Sequence, residues 1–327
     1  MRRREFIKLI AGSAVSWPMA VRAQQTALPL IGFLHSARPE PTVNLVTAFR
    51  RGLFDGGFVE SKNVAIEFRW ADGLLDRLPE LAADLVHRKV AVIATPGSTP
   101  AALAAKAATT TIPIIFAVGS DPVDIGLVAS LNRPGGNVTG IAFESVEIAG
   151  KSLGLVRELL PQEARIAVLV NPNSAFNEEI IKNMQSGAAI LGLQLEVLRA
   201  GTESEIESAF AYLAQRPGIP LLLGPDVFYT SHRAEIVSLA ARYAVPTMYV
   251  LREFAETGGL ISYGPDLTNA YREAGTYTSR VLKGEKPAEL PVVLPTKFVM
   301  VINLKTAKTL GIVIPDKLVA LADEVIE

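Results

Sequence analysis

No cysteine occurs among the 327 residues. That absence excludes a disulfide, a thiol nucleophile, a cysteine zinc site and a lipid-modified cysteine at a leader cleavage point. Histidine is scarce as well: only His35, His87 and His232 are present, with no H-E-x-x-H pair, which argues against a histidine-rich metal centre. A dinucleotide fingerprint is lacking, because His35-Ser36-Ala37-Arg38 stands where G-x-G-x-x-G would follow the first predicted strand. No Walker A sequence appears either, and no G-x-S-x-G nucleophile elbow is expected. These gaps weigh against an enzyme, and no cofactor or metal is expected.

A long apolar run is also missing from the start of the chain. Residues 1–23, MRRREFIKLIAGSAVSWPMAVRA, carry a basic cluster, a short apolar stretch and a small-residue cleavage pattern. The stretch from Leu9 to Val21 is interrupted by Gly12, Ser13, Ser16 and Pro18, too short and weak to anchor the chain in a bilayer. Arg3-Arg4-Glu5-Phe6-Ile7-Lys8 resembles the twin-arginine export consensus, and Val21-Arg22-Ala23 fits a cleavage site. The expectation is a periplasmic protein released near Ala23. The leader holds Arg2, Arg3, Arg4, Lys8 and Arg22 against Glu5, so its loss takes the formal charge from -1 to -5. A mildly acidic surface without a helix-turn-helix points away from nucleic acid.

What the chain has in quantity is regular alternation of short apolar runs and amphipathic segments. Apolar residues make up 49% of it, enough for two cores, and roughly 300 mature residues exceed what one core usually supports. Strands are predicted at Leu28–Leu34, Asn63–Trp70, Val90–Thr95, Ile112–Val118 and Val138–Phe143. Between the first four lie helices at Thr42–Gly56, Asp76–His87 and Ser98–Ala108; another is predicted at Val123–Leu131. A second series begins with a helix at Ile148–Leu160 and runs through strands at Arg165–Val170, Gln194–Leu198, Ile219–Leu223 and Pro246–Val250. Its helices are Glu178–Leu191, Glu203–Gln215 and Arg233–Tyr243. Leu260–Tyr263 reads as a strand, Leu267–Leu282 as a helix, Phe298–Ile302 as a strand, and Leu304–Leu310 and Lys317–Ile326 as helices.

Such alternation predicts an α/β protein with two doubly wound parallel-sheet lobes joined by a three-strand hinge. Residues 28–143 with 264–291 form lobe 1, and 144–263 with 292–327 form lobe 2.

In open parallel sheets ligands bind beyond the carboxyl ends of the strands, where helix N-termini present free N–H groups. That rule selects Ser36 after the first strand, Thr95, Ser98 and Thr99 after the third, and Ser120 and Asp121 after the fourth. Each lies in a small hydroxyl or Gly turn opening a helix, suited to holding a carboxylate; Asp121 would instead accept from an ammonium. In the second series the equivalent loops offer Asn173 and Asp226, with Phe228 or Tyr229 able to cover a ligand. Phe143, Glu144 and Tyr263 fall at the hinge crossings, near the cleft floor. Ser98 and Asp121 serve equally well as helix caps, and the aromatics equally well as core. His35, ending a buried strand, reads as a satisfied core or cleft-edge histidine rather than a base.

The segments AFRRGLFDGGFVESKNVAIEFRWADG (Ala48–Gly73), VASLNRPGGNVTGI (Val128–Ile141), REFAETGGLISYGPDL (Arg252–Leu267) and PTKFVMVINLKTAKTLGIVIP (Pro295–Pro315) occur in order over nearly the whole mature chain. Together they closely resemble the ABC-transporter substrate-binding family related to the tryptophan and tyrosine uptake proteins. The resemblance implies a type I periplasmic-binding fold that closes around a small solute, an amino acid, possibly aromatic. The partners it implies are ABC permease subunits in the inner membrane, with the receptor a monomer. It also carries over Ser98, Thr99, Ser120, Asp121 and Asp226 as contacts. Two other readings stay open: a receptor subunit signalling to a membrane sensor, and an exported α/β enzyme using Asp121 or Asp226 as a base.

Overall fold

The computed structural model describes residues 28–143, 145–160, 164–174, 177–294 and 298–327. The expected leader and Glu144 lie outside the described residues.

From the N-terminal side the chain forms β1 (Leu30–His35), α1 (Val43–Asp55), β2 (Ala65–Trp70), α2 (Leu78–His87), β3 (Val92–Pro96), α3 (Thr99–Ala108), β4 (Ile114–Val118) and β5 (Val138–Ala142). The runs at β3, β4 and β5 are buried along their whole length, as strands covered on both faces must be. These strands pair in parallel in the order β2-β1-β3-β4-β5.

A second series follows: α4 (Ser145–Leu159), β6 (Arg165–Val170), α5 (Asn177–Leu191), β7 (Gln194–Arg199), α6 (Glu203–Ala214), β8 (Leu221–Leu223), α7 (Val227–Ser231), α8 (Arg233–Arg242), β9 (Thr247–Tyr249), α9 (Arg252–Glu256) and β10 (Ile261–Pro265). The chain closes with α10 (Leu267–Leu282), β11 (Phe298–Asn303), α11 (Leu304–Thr309), α12 (Asp316–Leu321) and β12 (Glu324–Ile326). The second sheet has the order β12-β11-β10-β9-β8-β6-β7.

Side-chain alternation divides each sheet between two helical layers. On the first sheet Ile31, Phe33 and Ile115 meet α1 and α10 through Phe49, Leu53 and Ala274; Leu34, Ile93 and Phe116 meet α2 and α3 through Leu85 and Ala101. On the second, Ile166, Val168 and Met300 pack with Leu153, Met184 and Leu318, while Ala167, Leu169 and Leu221 pack with Phe210 and Ile236.

α10 returns from the second sheet to cover the first. Ala270, Tyr271, Ala274, Tyr277 and Val281 form its buried stripe. Where it crosses α1, two glycines bring the backbones together: a Cβ on Gly52 would lie 1.9 Å from the Arg272 carbonyl oxygen, and one on Gly275 2.1 Å from that of Phe49. Asp266 caps α10, its carboxylate accepting from the Asn269 N–H at 3.0 Å. Asp266→Ala is expected to cost about 1 kcal/mol of stability in urea denaturation.

The chain crosses between sheets three times. Phe143 still donates its N–H to Val118, Gly264 and Pro265 still pair with β11, and Val293 bridges in parallel to Ile141 at the edge of the first sheet. By pairing, therefore, residues 264 and 265 lie with the second sheet and residue 293 with the first, a few residues beyond the divisions expected from sequence.

Several expectations need correcting. Val123–Leu131 is a series of turns, not a helix. Asp121 captures the Val123 and Asp124 N–H groups, and Gly126 adopts a φ of 70°. Lys317–Ile326 is not wholly helical: α12 ends at Leu321, and the β-branched Val325 and Ile326 extend along β11 as an edge strand. β10 and β11 are antiparallel, so the second sheet is mixed. The short helices α7 and α9 were not expected. Finally, Gly150-Lys151-Ser152-Leu153-Gly154 spells the G-x-S-x-G string of a nucleophile elbow, but it lies within α4 with Ser152 buried, not on a strand-to-helix turn.

Candidate functional site

The carboxyl ends of β1 and β3 carry a closely knit polar group. His35 is sealed in, and burial pushes its imidazole down to about 4. The Ala37 N–H donates to Nδ1 at 2.9 Å, so in the neutral ring Nε2 carries the proton and donates to the Tyr271 hydroxyl at 3.2 Å. Gly97 (φ 76°) lets Tyr271 reach this place: a Cβ there would sit 2.2 Å from the Tyr271 oxygen. His35 is thus a satisfied structural residue that fixes Tyr271 and the following turn.

Ser98 caps α3 by accepting from the Ala101 N–H, and its hydroxyl is 2.9 Å from that of Ser36. Thr99 opens the helix half-exposed, where the dipole favours negative charge. Thr95 is fully buried on β3, and its Oγ1 has no hydrogen-bond partner. A buried hydroxyl left unpaired costs free energy, and a ligand oxygen would relieve it. Ser120 and Asp121 follow β4 half-buried, with Asp121 already accepting from Val123 at 2.7 Å.

On the second sheet Asn171, at the end of β6, is the organising residue. Its Nδ2 donates to Asp226 Oδ1 at 3.0 Å, and its Oδ1 accepts from the Asn173 N–H at 3.0 Å. Gly201, just past β7, lets both asparagines fit: a Cβ would lie 2.5 Å from Asn173 Nδ2. Asp226 caps α7 through the Phe228 N–H at 2.8 Å. Burial raises the Asp226 carboxyl above the usual range, against the lowering effect of the Asn171 and backbone hydrogen bonds. Asn173 itself is exposed.

Three aromatic candidates fare differently. Tyr229 is core, 1% exposed, with its hydroxyl donating to the Ala200 carbonyl, so it is no longer a candidate for contact with a solute. Phe143 is half-buried against the first-sheet core, and half-buried Tyr263 lies beside Phe298.

Sequence reasoning missed Glu253. It stands in α9, directly after the β9 strand end, and its Oε2 is buried without a hydrogen-bond partner. Burial raises its carboxyl, and its charge adds to the burial that raises the Tyr271 phenol. The strand-end rule would have selected Glu253 had α9 been expected.

The family profile of ABC transporter substrate binding proteins matches residues 40–326. This chain belongs to that family. It is 28% identical over 263 residues to the tyrosine-binding protein of Clostridioides difficile (strain R20291), covering 80% of this chain and 75% of the relative. Among solved structures, a Streptococcus pneumonia ABC domain in complex with L-Trp is 27% identical with a TM-score of 0.83, covering 92% of this chain and 100% of that one. A conserved domain protein from Vibrio cholerae is 26% identical with a TM-score of 0.83, covering 90% and 99%. The fold is that of the type I periplasmic-binding proteins, two α/β lobes built on largely parallel sheets. The family is one of solute-binding proteins, and among the described residues no helix is long and apolar enough to cross a membrane.

Proposed function

We propose that this chain is the extracytoplasmic receptor of an ABC importer, capturing a free amino acid, aromatic by preference, between its two lobes. Delivery to a membrane permease follows, without covalent chemistry. The observation that carries this reading is the pairing of opposite binding needs at the two sets of strand ends. The first lobe offers the unpaired Thr95 hydroxyl and the N-terminus of α3 with Ser36, Ser98 and Thr99, an environment suited to a carboxylate. The second offers the unpaired Glu253 oxygen in α9, beyond β9, and the Asn171–Asp226 pair beyond β6 and β8, carboxylates suited to an ammonium.

An α-amino acid carries both groups and satisfies both ends only when the lobes approach. Closure about the three crossings then follows from differential affinity, since a ligand equally happy with the open state shifts nothing. The tyrosine and tryptophan ligands in the names of the two relatives support an aromatic side chain. Ser120, Asp121, Phe143, Asn173 and Tyr263 remain proposed contacts around it. The leader at residues 1–23 supplies the route out of the cytoplasm.

A thermal-shift screen of the free amino acids tests this. A ligand at a hundred times its Kd adds roughly 2.7 kcal/mol to stability. Glu253→Gln is expected to weaken the confirmed ligand about tenfold or more, the worth of a charge-assisted hydrogen bond. Burial raises the carboxyls of both Glu253 and Asp226, so each loses its charge earlier on acidification than an exposed carboxylate, and affinity falls as pH drops. A confirmed ligand bound equally well by Glu253→Gln, Asp226→Asn and Ser98→Ala would place the site elsewhere.

A further inference from the structure

In the second lobe, the start of α6 and the α7–α8 junction converge on one small volume. Glu203 begins α6, His232 joins α7 to α8, and Glu235 lies in the first turn of α8. Each offers one ligand atom, and the three atoms all lie within 4.8 Å of one another.

The orientation of the His232 ring decides what this cluster can hold. The ring packs on Phe228 with centroids 4.3 Å apart, and Nδ1 is 2.8 Å from the Phe228 carbonyl oxygen. A carbonyl only accepts, so Nδ1 must carry a proton. In the neutral ring Nε2 is therefore a lone pair, and it faces Glu203 Oε1 at 3.0 Å. Two acceptors that close repel unless something positive lies with them. A single proton would join Nε2 to Glu203 but would leave Glu235 without a role. A metal ion uses all three.

The arrangement around the ring has a second metal-like trait. Metal-bound histidines generally donate their other N–H to a carboxylate or backbone carbonyl, which fixes the tautomer and aims the lone pair. His232 does this through Phe228. Ligand bonds of about 2.0 to 2.2 Å around a tetrahedral zinc hold donor atoms roughly 3.3 Å apart, a spacing this cluster accommodates with small side-chain adjustment. One imidazole and two carboxylates suit a transition metal better than calcium or magnesium, which take more oxygens. Glu203 is 66% exposed along its side chain, so an ion can enter from solvent.

We propose that Glu203, His232 and Glu235 form a binding site for a divalent transition metal of the zinc class, with a fourth position open to solvent. The ion would tie the start of α6 to the α7–α8 junction. It would thereby brace Phe228, whose N–H holds Asp226. The proposal is independent of the solute reading.

Zinc chloride titrated calorimetrically into chelator-stripped protein is expected to bind at one ion per chain. Cobalt(II) at the same site is expected to give the visible absorption of a four-coordinate ion. His232→Gln and Glu235→Gln should each weaken zinc by about tenfold or more, whereas His87→Gln should leave it unchanged. Circular dichroism of the metal-free variants guards against loss of fold, and Glu235→Gln, a partly exposed change, serves if His232→Gln unfolds. Absence of saturable binding would overturn the proposal. So would zinc affinity indifferent to both substitutions, or an NMR titration showing only a protonated His232–Glu203 pair that zinc does not perturb.

Discussion

Gly275→Ala is expected to destabilise the first lobe by about 3 kcal/mol, the upper end of what overpacking costs. The added methyl would meet the Phe49 carbonyl oxygen at 2.1 Å, the Leu53 nitrogen at 3.0 Å and the Gly52 Cα at 3.1 Å. All three are backbone atoms of α1, so no rotamer change relieves the contact and the helices must separate. Separation would also pull Tyr271, on the same helix, away from His35. Gly154→Ala in α4 is the control, because a Cβ there meets nothing within 4 Å and alanine is the better helix former. Urea denaturation of the two variants decides the matter: equal midpoints would mean that α1 and α10 are not in backbone contact.

Acid should weaken the protein through His35. Its folded-state value of about 4 lies below the ordinary 6.5, because burial disfavours the imidazolium. Above the unfolded value the ring is neutral in both states and makes no pH-dependent contribution. As pH falls from 6.5 to about 4, the unfolded chain binds a proton that the folded chain refuses, so stability drops. The full loss is about 3 kcal/mol. His35→Gln removes the titration, so the difference in stability between the parent and this variant should narrow on acidification across that interval. A difference that stays constant with pH would mean that His35 is protonated in the fold or titrates alike in both states.

Much of the fold was legible because β1, β3, β4, β5 and β6 are continuous apolar runs, which only strands covered on both faces tolerate. The failures were short elements whose fate depends on partners. α7 and α9 are five residues each, too brief for periodicity to show. β12 is an edge strand that exists because β11 offers it hydrogen bonds, and nothing local announces that. Val123–Leu131 has helical spacing and Asp121 caps its start, yet Gly126 turns left-handed after one turn and the Leu127 N–H closes back on the Pro122 carbonyl, which ends it.

The site followed the same division. Ser36, Thr95 and Ser98, selected by the strand-end rule, do stand at the carboxyl ends of β1 and β3. Asn171 was overlooked in favour of its exposed neighbour Asn173, since hydrogen-bond hubs are properties of three-dimensional convergence. Tyr229 was left open between core and contact because an aromatic beside a capping Asp can turn either way; it lies in the core, where the Ala200 carbonyl accepts from its hydroxyl. Glu253 was hidden by the unexpected helix that carries it. His232 and Glu235 stand together at the start of α8, but Glu203 lies 29 residues before His232, and only the fold brings it to them.

The return of α10 and Val293 to the first sheet, followed by that of β11 and β12 to the second, also sets the order of assembly. A ribosome that has made every strand of the first sheet has not yet made the helix that covers one face of it. Nor is the second sheet whole until the final residues emerge. Each core therefore waits on chain that follows the other lobe, so neither lobe is assembled from one unbroken stretch of sequence.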